Sequence, residues 1–299
     1  MIIIKLQHGL GNQLFQYALG KKLALLHGTE LKLDISTYTQ RIGYRHFGLE
    51  PFAITAPVAA PEDFRRIRVP PPTQDLLSRI RRKALRMREQ GTPLNERRFI
   101  TEPRPTFIPE VLQARDNAYL VGDWQSEKYF KDIAPVIRRE FALKEPLQGA
   151  ALRVAEQIRQ SHGTPVSLHV RRGDSVSNPK SIQKFGTMPL SYYLEAARMM
   201  RQKVPDAVFF VFSDDILWAH EHLAELAPIV FASDPEIKDY EDLTLMSLCA
   251  HHILPNSTFS WWSAWLNPSP HKLVIAPKKY FQDPSMDTSD LMPPEWIRL

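Results

Sequence analysis

The sequence predicts an α/β protein built from two Rossmann-like domains that face each other across a cleft. Three observations predict it. Short apolar runs alternate with segments of helical period; that alternation occurs twice, before and after Lys144-Glu145-Pro146; and polar motifs follow directly on several of the apolar runs. Strands alternating with helices imply parallel sheets with right-handed crossovers, and ligands of such sheets sit beyond the carboxyl ends of the strands.

The first series opens with residues 1–6, a continuous apolar run broken only by Lys5, as for a strand buried on both faces. Gly9 and Gly11 are expected to make the turn. Residues 12–26 follow as a helix, with Leu14, Phe15, Ala18, Leu19 and Leu23 at helical spacing. Residues 31–35 read as a second strand. Pro70, Pro71 and Pro72 break the chain before a basic helix at 75–89, and 119–121 is a short strand opening into Gly122, Asp123 and Trp124. The domain boundary falls at 146/147, giving domains 1–146 and 147–299.

The second series runs helix 149–160, strand 165–170, helix 190–203, strand 207–212, helix 215–226 and strand 229–231. Helix 241–251, strand 252–255, helix 258–266 and strand 273–277 complete it. No internal repeat or low-complexity tract interrupts either series.

The bulk composition excludes several classes. Hydrophobic residues make up 43% and charged residues 24%, an ordinary globular balance. No stretch approaches the roughly 18 apolar residues that span a bilayer. The opening MIIIKLQHGLGNQ lacks a basic leader, a long apolar run and a cleavage site, so it reads as no signal peptide. The lone cysteine, Cys249, sits in the apolar run LMSLCAH and reads as a core residue, which rules out a disulfide framework and fits a reducing compartment. A cytoplasmic protein is expected. The net charge of +5 is uneven: residues 65–104 hold twelve Arg or Lys against four Asp or Glu. Such a stripe is either a solvated helix face or a surface for an anionic membrane or nucleic acid. Around residues 75–89, Leu76, Leu77, Ile80 and Ala84 fall on one helical face with Arg79, Arg82, Lys83 and Arg86 beside it, which favours peripheral contact with an anionic membrane.

Three motifs carry the chemistry. In 166–174, VSLHVRRGD, a buried strand runs into two arginines. Strand alternation puts His169 and Arg171 on one face and Val170 and Arg172 on the other. A guanidinium fork at Arg171 matches a diphosphate oxygen pair, while Arg172 is expected to pair with a nearby carboxylate. In 208–215, VFFVFSDD, Ser213 or Asp214 is either the N-cap of the next helix or a group that accepts from ribose or guanine. In 254–265, LPNSTFSWWSAW, Asn256, Ser257, Thr258 and Phe259 begin a helix, whose free N–H groups and positive dipole end make an anion site. The aromatics Trp261, Trp262 and Trp265 read as core.

Other cofactor signatures are missing. HGLGNQLFQYA has Leu14 where the dinucleotide fingerprint needs its third glycine, and no G-K-[ST] occurs. No metal is expected: Asp-x-Asp and H-E-x-x-H are absent and His251-His252 are adjacent rather than at ligand spacing.

Taken together, HGLGNQLFQYA, GDWQSEKYF, HVRRGD, SDD and NSTFSWWSAWL resemble, in order from residue 7 to 266, the bacterial α-1,2-fucosyltransferases of glycosyltransferase family 11. The resemblance implies a GT-B fold, GDP-β-L-fucose as donor, no further cofactor, and inversion at the anomeric carbon. It assigns the β-phosphate to Arg171, the guanine or ribose to His169 and Asp214, and the phosphates to Ser257 and Thr258; Ser213, Asn256 and Phe259 are expected in the donor site beside them. Gly11 and Asn12 would close the cleft from the acceptor domain, where Asp123, Trp124, Gln125 and Glu127 lie. The expected partner is a galactoside acceptor, including one carried on a lipid. A base near the acceptor hydroxyl has two candidates, Asp174 and Glu127. The alternatives are fucosyl transfer to another position, another GDP-sugar donor, or a basic nucleic-acid-binding protein. The last gives no reason for motifs at three strand ends.

Overall fold

The computed structural model describes the chain apart from residues 40–44, 74, 174–181, 184 and 284–285. It divides into two units, Met1–Lys144 with Asp287–Leu291, and Glu145–Met286 with Met292–Leu299. The stretch that returns to the first unit is tied down by Asp290, which accepts from the Phe107 N–H at 2.8 Å and pairs with Lys128.

The described elements of the first unit are β1 (Ile2–Lys5), α1 (Leu10–His27), β2 (Leu31–Asp34), α2 (Ser36–Thr39), α3 (Pro61–Arg66), α4 (Leu76–Glu89), β3 (Phe99–Thr101), β4 (Ala118–Val121) and α5 (Ala134–Glu140). The strands form one parallel sheet in the order β2-β1-β4-β3. Ile2, Ile3 and Ile4 are wholly buried, as the unbroken apolar run requires. Helix α1 lies close on the sheet at Gly20, where a Cβ would fall 2.7 Å from the Leu31 side chain. It stops at Gly28, whose left-handed backbone returns its N–H to the last turn. The helix starts two residues before the predicted position, so Gly11 is inside it rather than in the turn. His8 makes the turn instead, with φ of 68°.

The second unit contains α6 (Gly149–Arg159), β5 (Thr164–Val170), α7 (Leu190–Lys203), β6 (Ala207–Ser213), α8 (Ile216–Leu223), β7 (Ile229–Phe231), α9 (Asp239–Leu248), β8 (His251–Ile253), α10 (Thr258–Leu266), β9 (Val274–Ala276) and β10 (Ile297–Arg298). Its sheet is parallel throughout, in the order β10-β9-β8-β5-β6-β7. From β5 the chain moves outward one way through β6 and β7, then returns to the other side through β8, β9 and β10. The order therefore reverses between β5 and β8, the doubly wound arrangement whose ligand crevice lies at that switch point.

Alternation along the strands fills both faces. Val166, Leu168, Val170, Phe209 and Val211 pack with Tyr193, Met200 and Leu223. Phe210 and Phe212 pack on the opposite face with Ala155, Ile158, Met246 and Cys249. Cys249 is thus a core residue, its thiol pushed up by burial. Trp261, Trp262 and Trp265 are buried together in the core, as the sequence suggested. Strands β3 and β10, of three and two residues, were not anticipated.

Candidate active site

The switch point of the second sheet is built from the ends of β5 and β8. Residues 167 and 169 have the opposite parity to Val166, Leu168 and Val170, which face the α7–α8 side. His169 is buried and stacks obliquely on Phe259, with ring centroids 5.6 Å apart. Burial lowers its pKa to about 4; the Asp214 carboxylate pulls it upward and the Arg171 guanidinium adds to the fall. The imidazole is therefore neutral at pH 7 and offers one donor and one acceptor. Its Nδ1 has no hydrogen-bond partner among the described residues. Nor has Ser257 Oγ, buried at the N-cap of α10. Buried polar atoms are rarely left unpaired, so two of them without a partner among the described residues make this switch point the candidate ligand site. The first-turn N–H groups of α10 and its positive dipole end lie at the same place.

Arg172 behaves as expected of a scaffold residue. Its Nε stands 3.0 Å from Asp215 Oδ2, and its guanidinium lies 4.4 Å from the centroid of the Trp218 ring. Its backbone N–H donates to Asp214 Oδ1 at 2.7 Å, which locks the loop after β5 to the loop after β6. Gly173 leaves room there for the Asp214 carboxylate, since a Cβ would come 2.5 Å from Asp214 Oδ2 and displace it. The helix cap is neither of the two expected residues. Asp215 caps α8, accepting from the Trp218 N–H at 3.2 Å, while Ser213 Oγ accepts from the Asp215 N–H at 2.9 Å. The strand runs one residue further than predicted, and that moves the cap down the chain. Asp214 is left exposed and uncommitted to the helix.

Asn256 is buried and spends its amide on the carbonyls of Phe185 (2.8 Å) and Tyr280 (3.2 Å), so it shapes the turn that presents Ser257. Thr258 opens the first turn of α10, half-buried. Asp174 lies outside the described residues. His252 is likewise structural, held between Ser167 Oγ (2.8 Å) and Asn267 Nδ2 (3.0 Å), with burial pushing it down to about 3. Among the described residues no group of three His, Cys, Asp or Glu side chains is placed to hold a metal ion.

In the first unit the sheet reverses between β1 and β4, and a second cluster forms where those strands end. His8 Nε2 and Gln7 Nε2 each lie 3.5 Å from Asp123 Oδ1, and Gln125 donates to Asn12 Oδ1 at 3.2 Å. Trp124 takes φ of 56° and is fully buried against Tyr129, so it anchors the loop rather than facing outward. Glu127 is also buried, and its charge supports the Arg138 guanidinium. Gly11 is buried within α1.

Sequence reasoning missed the group that holds this loop. Glu102 accepts the Asp123 N–H at 2.7 Å and the Trp124 N–H at 3.0 Å, one on each carboxylate oxygen. Burial raises Glu102 to about 7, the two N–H groups pull it back, and the Asp123 charge adds to the rise. His8 was missed too, because histidine, though enriched among non-glycine residues at positive φ, adopts it too seldom to announce a left-handed turn.

Two all-parallel, switch-pointed sheets, one ending in polar groups without a partner among the described residues, make a GT-B-like α/β architecture. The chain belongs to glycosyl transferase family 11, whose model matches residues 1–299. It is 29% identical over 305 residues to an alpha-1,2-colitosyltransferase of Escherichia coli, covering 100% of this chain and 99% of that one. A galactoside alpha-(1,2)-fucosyltransferase 1 of Saimiri boliviensis boliviensis is 29% identical over 264 residues, covering 86% of this chain and 62% of that protein. The crystal structure of the fucosyltransferase NodZ from Bradyrhizobium superposes with a TM-score of 0.53 at 16% identity, covering 89% of this chain and 93% of that one, a likeness of fold.

Proposed function

We propose that the protein transfers L-fucose from GDP-β-L-fucose to the 2-hydroxyl of a terminal β-galactoside, with inversion at the anomeric carbon. The observation that carries this reading is the pair of buried atoms without a partner among the described residues, His169 Nδ1 and Ser257 Oγ, at the switch point beside Arg171. A neutral imidazole suits a ribose hydroxyl, and Asp214 suits the ribose or guanine donors. Ser257, Thr258 and the first turn of α10 hold the diphosphate, with Asn256 and Phe259 shaping that turn. Arg171 forks onto the β-phosphate, where charge collects as the glycosidic bond breaks. The first unit takes the acceptor through Asp123, Gln125 and the loop that Trp124 anchors. Glu127, buried beside Arg138, suits a structural role better than proton removal, which leaves Asp174 as the base in this reading. The acceptor is read as a glycan carried on a lipid, used at the cytoplasmic side of a membrane.

A colitosyl donor is the second reading, favoured by the full-length likeness to the colitosyltransferase. Colitose is L-fucose without its 3-hydroxyl, and a site that hydrogen-bonds this hydroxyl rejects the deoxy sugar strongly. Calorimetric titration with GDP in excess EDTA tests the donor site. Wild-type protein binds, and Ser257→Ala and His169→Ala each weaken binding about tenfold, the worth of one hydrogen bond in a buried site. No GDP binding by the wild type, or binding restored only by a divalent metal, would count against the proposal.

A further inference from the structure

Helix α4 has a face that the fold leaves uncovered. None of its 14 residues is buried. Ser78, Arg82, Leu85 and Glu89, at steps of four, three and four, form the side turned to the body. Leu85 packs against the cluster around Phe99 and Tyr119. Arg82 reaches the Pro70 carbonyl at 2.8 Å and the Tyr119 hydroxyl at 2.9 Å, over the faces of both rings. Glu89 accepts the backbone N–H groups of Arg98 and Phe99 at 3.0 and 2.7 Å. These contacts fix which way the helix faces, and they remove Arg82 from the outward set in which the sequence had put it.

The opposite side is an apolar ridge. Leu76, Leu77, Ile80, Ala84 and Met87 fall within about 100° of arc at the helical 100° per residue. The four larger ones are 70%, 55%, 55% and 58% exposed in that order without Ala84. Arg79, Lys83 and Arg86 border the ridge on one side and Arg81 and Arg88 on the other, all of them exposed. No carboxylate of the helix stands on this side, since Asp75 is spent capping Ser78 and Glu89 faces inward.

We propose that α4 docks flat onto an anionic lipid bilayer, with the ridge in the acyl boundary and the five flanking cations among the headgroups. Three features select this occupant. The flanking side chains are long enough to lie along the ridge and set their charge above it, the arrangement of a helix in a membrane interface. A second copy of the chain would bring five cations against five. Nucleic acid would meet the apolar ridge first, with the cations set to its sides, whereas phosphate binding needs the cations foremost. The proposal does not depend on which sugar the enzyme transfers.

The test is sedimentation of the full chain with phosphatidylcholine vesicles, with and without about one third phosphatidylglycerol. Two paired variants go with it, Lys83→Gln with Arg86→Gln, and Ile80→Gln with Met87→Gln. All four positions are exposed, so melting temperature and transfer to a soluble acceptor stay at wild-type values. The expected result is binding only with the acidic lipid. Each basic residue near such a surface is worth roughly fivefold in partitioning, so the first pair lowers binding about twentyfold or more. The second pair lowers it at least comparably, through lost apolar burial. Three results would overturn the proposal: no binding at any acidic content, binding that neither pair changes, or self-association or oligonucleotide binding that the variants abolish while vesicle binding is absent. Because transfer to a soluble acceptor is measured on the same samples, a wrong functional reading shows there and leaves the vesicle result standing.

Discussion

Replacing Arg171 and Arg172 by lysine, one at a time, separates a residue assigned to the reacting diphosphate from one assigned to the scaffold. Lysine keeps the charge in both cases and loses the planar fork. At position 172 the loss can be worked from contacts. The Nε–Asp215 pair at 3.0 Å is partly exposed on both sides, 22% and 33%, so screening holds it to about 1 kcal/mol or less. The guanidinium over Trp218 at 4.4 Å adds about 1 kcal/mol. Together they make about 1–2 kcal/mol, which in a unit of this size lowers the melting temperature by roughly 3–6 °C. At position 171 the proposed diphosphate contact would strengthen as charge moves onto GDP, and losing it should cost about 3 kcal/mol of barrier, roughly a hundredfold in turnover. GDP-fucose affinity falls less, because the glycosylated ground state carries less charge at that oxygen than departing GDP does. The assay is turnover at saturating GDP-fucose, with GDP-fucose affinity and melting temperature measured on the same preparations. If Arg171→Lys turns over normally while Arg172→Lys is folded but inactive, the face assignment is wrong and the roles exchange.

Two carboxyls give further predictions. Glu102→Gln sets an amide NH2 against one of the two N–H groups that the carboxylate now accepts, at a cost of about 1–3 kcal/mol. The variant should melt several degrees lower and need more acceptor for half-maximal rate, with GDP affinity unchanged; an unaltered acceptor requirement would detach this loop from acceptor binding. Asp242 is raised to about 7, first by burial and then by Asp239 and Glu241, and its Oδ1 has no partner among the described residues. Its folded pKa lies above the unfolded value of about 4, so the unfolded chain loses this proton first and stability falls as pH rises from about 4 to 7. Asp242→Asn should therefore raise the melting temperature at pH 8, change it little at pH 4, and flatten the curve between; an equal shift at both pH values would refute the assignment.

The architecture of the second unit was readable because its strands are buried runs of unmistakable period. VSLHV and VFFVF have too few polar residues to be anything but central strands, and the polar groups at their ends stand out for that reason. Ser257 was legible as a helix-start residue; that its hydroxyl is unpaired was not, since this depends on what surrounds it. Strand β3 escaped because three residues, set after Arg97-Arg98, carry no period. Glu102 escaped for a different reason. Its partners are backbone groups about twenty residues on, and a backbone N–H leaves no trace in the amino-acid string. His8 and Trp124 adopt positive φ; histidine is enriched there but still rarely adopts it, and tryptophan is not enriched, so neither residue type announces the turn. The helix cap was misplaced among Ser213, Asp214 and Asp215 because all three are good caps, and only the length of β6 decides between them.

The most direct test of the account is linkage analysis of the product formed from GDP-fucose and a small panel of β-galactosides, in excess EDTA. The account predicts a fucosylated product in which the 2-hydroxyl of the terminal galactose is substituted and the new linkage is α. A product linked elsewhere, a β linkage, or transfer from GDP-colitose but not from GDP-fucose would contradict it.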